Sequence, residues 1–109
     1  MRSKNLYYDY WASYLDNFIE VIQQGGCQNE SIEADDLIAC GNRGKYSFLL
    51  EMKDGKVANN ILGSAVARDL EKVLSDDARF RILAKGKKIV FRLRRNFKLD
   101  IEVSSLPVQ

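Results

Sequence analysis

The dipeptide Asp54-Gly55 constrains the fold of this 109-residue chain more strongly than any other feature. It follows residues 45–52, where apolar and polar side chains alternate as on a strand with one buried face. A two-residue type I′ turn needs positive φ at both central positions, which Asp-Gly accepts readily. The sequence therefore predicts an antiparallel hairpin with a return strand over 56–60 or 56–61.

Residues 5–24 are expected to form one helix, because apolar side chains recur there at steps of three and four residues. Gly25 and Gly26 supply its end. The predicted buried stripe is Tyr8, Trp11, Leu15, Phe18, Ile19 and Ile22. Beside it, also at helical spacing, are Tyr7, Tyr10 and Tyr14. We expect these tyrosines to widen the buried face, and the alternative is an edge that meets a partner or stacks on bases.

A second helix is predicted after Ser64, which would cap its first N–H groups, and it ends at 75–77, with a further helical turn through Ala84 as the alternative. Its predicted buried stripe is Leu62, Val66, Leu70, Val73 and Leu74. The alternation of apolar and polar residues then resumes over 79–82, 88–93 and 97–103, which predicts three strands.

These elements predict a single α+β domain over residues 1–109, in the order helix, β-hairpin, helix and antiparallel β-meander. Local antiparallel pairing argues against a doubly wound parallel sheet. We expect the helices to pack on one face of the antiparallel sheet, with the polar side of the last strands outward. Residues 104–109, which include the only proline, Pro107, are expected to form a flexible tail.

The basic residues are concentrated in one part of the chain. Residues 78–99 carry nine Lys and Arg and no acid, whereas residues 1–77 have a net charge of −5 and residues 100–109 a net charge of −2. The total charge of +2 conceals this asymmetry. A basic segment of this kind suggests a surface for an acidic partner.

The alternation also predicts a register for the last hairpin. Pairing Phe91 with Leu99 and Leu93 with Phe97 puts the apolar side chains on one face, and a slip by one residue would expose them. The loop is then 94–96, a three-residue hairpin connection.

The first functional interpretation is a non-catalytic nucleic-acid-binding module. In the predicted register Arg92 lies opposite Lys98, a like-charge pair that an external anion would relieve. The candidate contacts to a DNA or RNA phosphate backbone are Arg92, Arg94, Arg95 and Lys98 at the hairpin tip, with Lys85, Lys87 and Lys88 at the neighbouring turn. No cofactor is expected for this function.

A second interpretation concerns Asp36, Glu51 and Lys53. Their arrangement resembles the PD-(D/E)XK nuclease motif, in which an Asp opens one strand and Glu-x-Lys closes the next. The resemblance implies Mg²⁺-dependent cleavage, with Asp36 and Glu51 as metal ligands, Lys53 as the catalytic lysine and Glu20 as an additional helix acid. Asp35 stands at the position of the motif's proline. A solvent-exposed strand face is the simpler interpretation of Glu51 and Lys53.

A third interpretation is a small protein-binding adaptor or inhibitor. The acidic stretch 30–36, the tyrosine edge and the basic hairpin each offer a docking surface. The basic hairpin is the one that suits an acidic protein surface. The chain has no histidine, so a Cys–His or Ser–His catalytic pair is excluded, and we expect no catalytic activity.

The cysteines and apolar runs indicate the compartment. We expect Cys27 and Cys40 to remain reduced, with a disulfide between them as the alternative. No apolar run is long enough to span a membrane, and the first residues do not resemble a signal peptide. A cytoplasmic or nucleoid-associated protein is therefore expected.

Overall fold

The computed structural model describes residues 7–31, 47–61, 65–94 and 97–107. Its helices in these ranges are α1 (Tyr8–Ala12), α2 (Leu15–Gln23), α3 (Ala65–Ser75) and α4 (Ala78–Leu83). Its strands are β1 (Gly26–Ser31), β2 (Phe48–Lys53), β3 (Lys56–Ile61), β4 (Lys87–Leu93) and β5 (Lys98–Ser105).

The strands form one antiparallel sheet in the order β1-β5-β4-β2-β3. The β2–β3 and β4–β5 hairpins meet through β2 and β4, and β1 completes the sheet beside β5. The α+β class and the antiparallel sheet are confirmed. No helix in the described ranges has both the length and the apolar character needed to cross a membrane.

The helices pack on the sheet face that carries the alternating apolar residues of β2. Aromatic rings join the two layers: the ring centroids of Phe18 and Phe91 are 5.8 Å apart, and those of Trp11 and Phe48 are 6.2 Å apart. The Trp11 indole Nε1–H donates to the Val66 carbonyl of α3 at 2.9 Å, so the buried ring has no unpaired polar group. Most of the predicted stripes are buried here, while Leu62 and the capping Ser64 lie outside the described residues.

The tyrosines beside the first stripe widen the buried face, as expected. Tyr7 and Tyr10 are buried, and Tyr14 packs against the core with its ring stacked on Phe18. The Tyr7 backbone N–H also donates to the buried Asp69 carboxylate of α3 at 3.0 Å. The tyrosine edge is therefore part of the core rather than a surface for bases.

The expected single helix over 5–24 is two helices. The chain turns at Ser13 and Tyr14, where the Ser13 Oγ donates to the Tyr10 carbonyl at 2.6 Å. A serine hydroxyl that donates in this way to a carbonyl three residues earlier competes with regular helix geometry. The predicted stop is confirmed, because α2 ends at Gln23 and Gly25 takes a positive φ.

The predicted Asp-Gly hairpin is confirmed. Asp54 and Gly55 have φ values of 56° and 83°, and Lys53 pairs with Lys56 across the turn. The Asp54 carboxylate accepts the Gly86 N–H at 2.7 Å, so the turn is tied to the one that precedes β4.

The strand predicted over 79–82 is wrong, because these residues lie in α4. The Asp77 carboxylate accepts the backbone N–H groups of Arg79 and Phe80, which starts the helix. Phe80 and Ala84, four residues apart, are buried, whereas Ile82 is 75% exposed. The alternation over residues 79–82 therefore does not indicate a strand with one buried and one exposed face.

Replacing Asp77 by Ala is expected to lower the free energy of unfolding by about 1 kcal/mol through loss of the cap. The hydrogen bond from Arg79, followed by those from backbone N–H groups, holds the pKa of Asp77 below its usual value despite burial. This stabilisation is present above the unfolded pKa of about 3.9 and is lost as the pH falls through the lower folded pKa. Urea unfolding between pH 2 and pH 7 checks this. Asp77→Asn, which keeps the acceptor oxygen, should recover much of the stability at neutral pH and lose the acid dependence.

The sheet has one more strand at its β5 edge than the sequence predicts, and its last strand is longer than expected. Residues 26–31 form β1, although their sequence has no apolar alternation, because they pair with β5 through the backbone around a bulge. The last strand continues to Ser105, so Ser104 and Ser105 of the expected tail pair with β4.

Candidate functional site

The sheet face opposite the helices, here called the outer face, carries most of the candidate residues. The register places on it Leu49, Glu51 and Lys53 of β2, Lys88, Val90 and Arg92 of β4, Asp100, Glu102 and Ser104 of β5, and Lys56, Asn59 and Ile61 of β3. Its two acidic β5 positions lie to one side. The β2, β3 and β4 positions hold four cations and one carboxylate, so the cationic half lies over these strands.

The predicted register of the last hairpin is wrong by two residues. Arg92 lies opposite Asp100 rather than Lys98, and Leu93 lies opposite Leu99. A shift of two residues leaves every side chain on its predicted face, so the apolar alternation does not distinguish the two registers. The predicted like-charge pair at the hairpin tip is therefore absent.

The tip is also more neutral than predicted. Arg94 donates from Nε and Nη2 to the Asp100 carboxylate at 3.0 and 2.6 Å. The Asp100 side chain is 5% exposed and that of Arg94 is 52% exposed, so the acid is buried beneath a guanidinium that reaches the surface. Arg95 lies outside the described residues, and the left-handed turn residue is Phe97, with φ of 62°.

A like-charge arrangement does occur at the other end of the sheet. Lys53 lies directly opposite Lys56 on one side and Lys88 on the other. We call these three residues, on three adjacent strands, the lysine row. Glu51 is the carboxylate beside them, with its Oε2 at 3.8 Å from Lys53 Nζ and 3.7 Å from Lys88 Nζ.

The six predicted cations that the structure describes do not form one continuous track. Arg92, Arg94 and Lys98 lie toward the tip, whereas Lys85, Lys87 and Lys88 lie at or just before the start of β4. The distance from Lys88 to Arg92 along the strand is about 13 Å. Lys85 and Lys87 flank Gly86 just before Lys88, and the register places Lys87 on the sheet face opposite the lysine row. Lys56 was missed by the sequence analysis, although the Asp-Gly turn between Lys53 and Lys56 already implies that these two lysines are opposed.

The residues of the nuclease resemblance are only partly brought together. Glu51 and Lys53 share the outer face, as their period-two spacing predicts, but Glu20 lies on α2, on the opposite side of the sheet. Asp36 lies outside the described residues, as does Cys40. Among the residues that the structure describes, no group of three or more His, Cys, Asp or Glu could hold a metal ion.

No protein-family model, curated protein or solved structure significantly matches this chain. The site is therefore interpreted from its own geometry: an antiparallel sheet with one face covered by helices and a cationic half on the other.

Proposed function

We propose that this protein binds the phosphate backbone of a nucleic acid through the cationic half of its outer face, without catalysing a reaction. The observation that supports this most directly is the lysine row, in which like charges are directly opposed across three strands. Arg92 extends the positive surface toward the hairpin tip, whereas the charge of Arg94 is offset by Asp100.

The lysine row costs stability in the free protein. Like charges directly opposite one another in a sheet are destabilising. The contacts of Glu51 to Lys53 and Lys88 are long, and both lysine side chains are about half exposed, so these ion pairs contribute little. Phosphate groups would relieve the repulsion and release condensed counterions on binding.

The acidic positions limit the path of the backbone. Asp100 and Glu102 lie on β5, so a polyanion is favoured over β2, β3 and β4. Along β4, Lys88 and Arg92 are four residues apart, about 13 Å, which allows contacts at two separate points of one backbone. Such contacts provide affinity without sequence readout.

The double variant Lys53→Gln/Lys56→Gln tests the proposal. Loss of two phosphate contacts should weaken binding to DNA or RNA about tenfold near physiological salt. It should also reduce the slope of log affinity against log salt by about 1.4 for single strands or about 1.8 for duplex. Fluorescence anisotropy of labelled oligonucleotides at several salt concentrations measures both quantities.

A charge-matched control is available on the helix side. Arg68 and Lys72 are exposed on α3, and Arg68→Gln/Lys72→Gln should leave the salt slope unchanged. Equal losses in the two double variants would show attraction by net charge alone and contradict the proposed face. Absence of salt-dependent binding to any nucleic acid would overturn the function and favour an acidic protein surface as the partner.

A further inference from the structure

A shallow depression lies on the outer face at the end away from the lysine row. Its volume is about 340 Å³, and it is lined by residues of β2, β3 and β4 and by Arg94, among them Leu49, Ile61 and Arg92. Leu49 lies directly between Ile61 and Arg92 in the register. The depression therefore combines aliphatic side chains with two guanidinium groups.

Its aliphatic side is open to solvent. Ile61 is 47% exposed on the edge strand, and Leu49 beside it is partly exposed, on a face whose other exposed side chains are mostly charged or polar. Covering exposed aliphatic surface of this kind with a flat apolar group is favourable, because apolar area is then removed from water.

On the cationic side of the depression, the orientation of the Arg94 guanidinium is partly fixed. The two hydrogen bonds to Asp100 hold the plane of the Arg94 guanidinium, while about half of the side chain remains exposed. A planar guanidinium both stacks on nucleobases and contacts phosphate. Asp100 thus acts as a positioning residue that reduces the ordering needed on binding.

We infer that the nucleic acid bound by this face is single-stranded, with one base seated in the depression against Leu49, Ile61 and the guanidinium groups. This rests on the proposed function, because the backbone must first lie along the cationic half. The depression is about 13 Å from the lysine row along β2, so one strand can occupy both. The bases of a duplex are stacked inside and do not reach a shallow depression, whereas those of a single strand can turn outward.

The test compares three probes of equal length: an oligothymidylate strand, a strand of abasic sugar-phosphate units, and a duplex. At one salt concentration, the oligothymidylate should bind about fivefold more tightly than the abasic strand. This is at the low end of base stacking, because Phe48, the aromatic residue of the lining, is only 3% exposed. Ile61→Ser should abolish this preference and leave abasic binding unchanged.

Val57→Ser is the matched control, because Val57 is 43% exposed on the same strand and faces the other side of the sheet. It should preserve the preference for bases. Arg94→Lys keeps the charge and loses the planar group, so it should also reduce the preference for bases. Because this variant does not alter β3, it tests the base site separately from Ile61→Ser.

The outcomes separate the two proposals. Equal salt-dependent binding of the oligothymidylate and the abasic strand overturns the base site and leaves backbone binding intact. Tighter binding of the duplex than of either strand also overturns it. Failure of all three probes to bind overturns the proposed function itself.

Discussion

Trp11→Ala should lower the free energy of unfolding by about 4 kcal/mol, the largest effect expected for a single core truncation in this chain. The indole is fully buried, and its ring lies 5.0 Å from Tyr10, 6.0 Å from Phe18 and 6.2 Å from Phe48 between centroids. Truncation leaves a cavity where the first helix pair meets α3 and the sheet, and it removes the hydrogen bond to Val66. A loss of this size is a large fraction of the stability of a small domain.

Urea unfolding monitored by far-UV circular dichroism measures the effect. Trp11→Phe should show a smaller loss, because it keeps most of the ring contacts and removes the hydrogen bond. Ile82→Ala, at the 75% exposed position on α4, should change stability by less than about 0.5 kcal/mol. If Trp11→Ala cost no more than Ile82→Ala, Trp11 would not hold these layers together.

The second large effect is expected at Gly26, where the chain passes from α2 into β1. Its φ is +96°, and a Cβ built there would lie 2.5 Å from the Ile101 carbonyl oxygen of β5. Because that atom belongs to a central strand, the backbone must shift, and Gly26→Ala should cost about 3 kcal/mol.

The neighbouring glycine separates steric clash from backbone strain. Gly25 has nearly the same φ, +97°, but a Cβ there would meet nothing within 4 Å. Gly25→Ala should therefore show only the cost of the left-handed conformation, about 1 kcal/mol. Thermal unfolding of the two variants gives the comparison, and equal losses would mean that β1 does not lie against Ile101 as described.

The last hairpin shows how far the sequence can determine the site. Alternation in β4 and β5 correctly assigns Phe91 and Leu99 to the core, yet it is blind to a shift of two residues. Turn chemistry sets the register, and here the left-handed position falls on Phe97, a residue type that gives no signal for it. The predicted register therefore places Arg92 opposite a cation, Lys98, whereas its partner in the structure is the acidic residue Asp100.

Elements without an apolar pattern were harder to predict. Residues 26–31 contain no repeated apolar residue, so β1 is recognised only through the backbone of β5. In α4, one capping carboxylate at Asp77 outweighs a short alternation. The lysine row depends on both local and long-range pairing. The opposition of Lys53 and Lys56 follows from a local turn, whereas Lys88 joins them through β2–β4 pairing between distant parts of the chain.

The strand order β1-β5-β4-β2-β3 has a consequence for how the nascent chain folds during synthesis. Of the four strand pairings among the described residues, three involve β4 or β5, which follow the other described strands in the chain. Among the described pairings, a nascent chain that ends before Lys87 can form only the β2–β3 hairpin, and an isolated hairpin is marginal in water. Strand β4, which joins the two hairpins, thus emerges after the four described helices, and the described core closes only once β4 and β5 have been made.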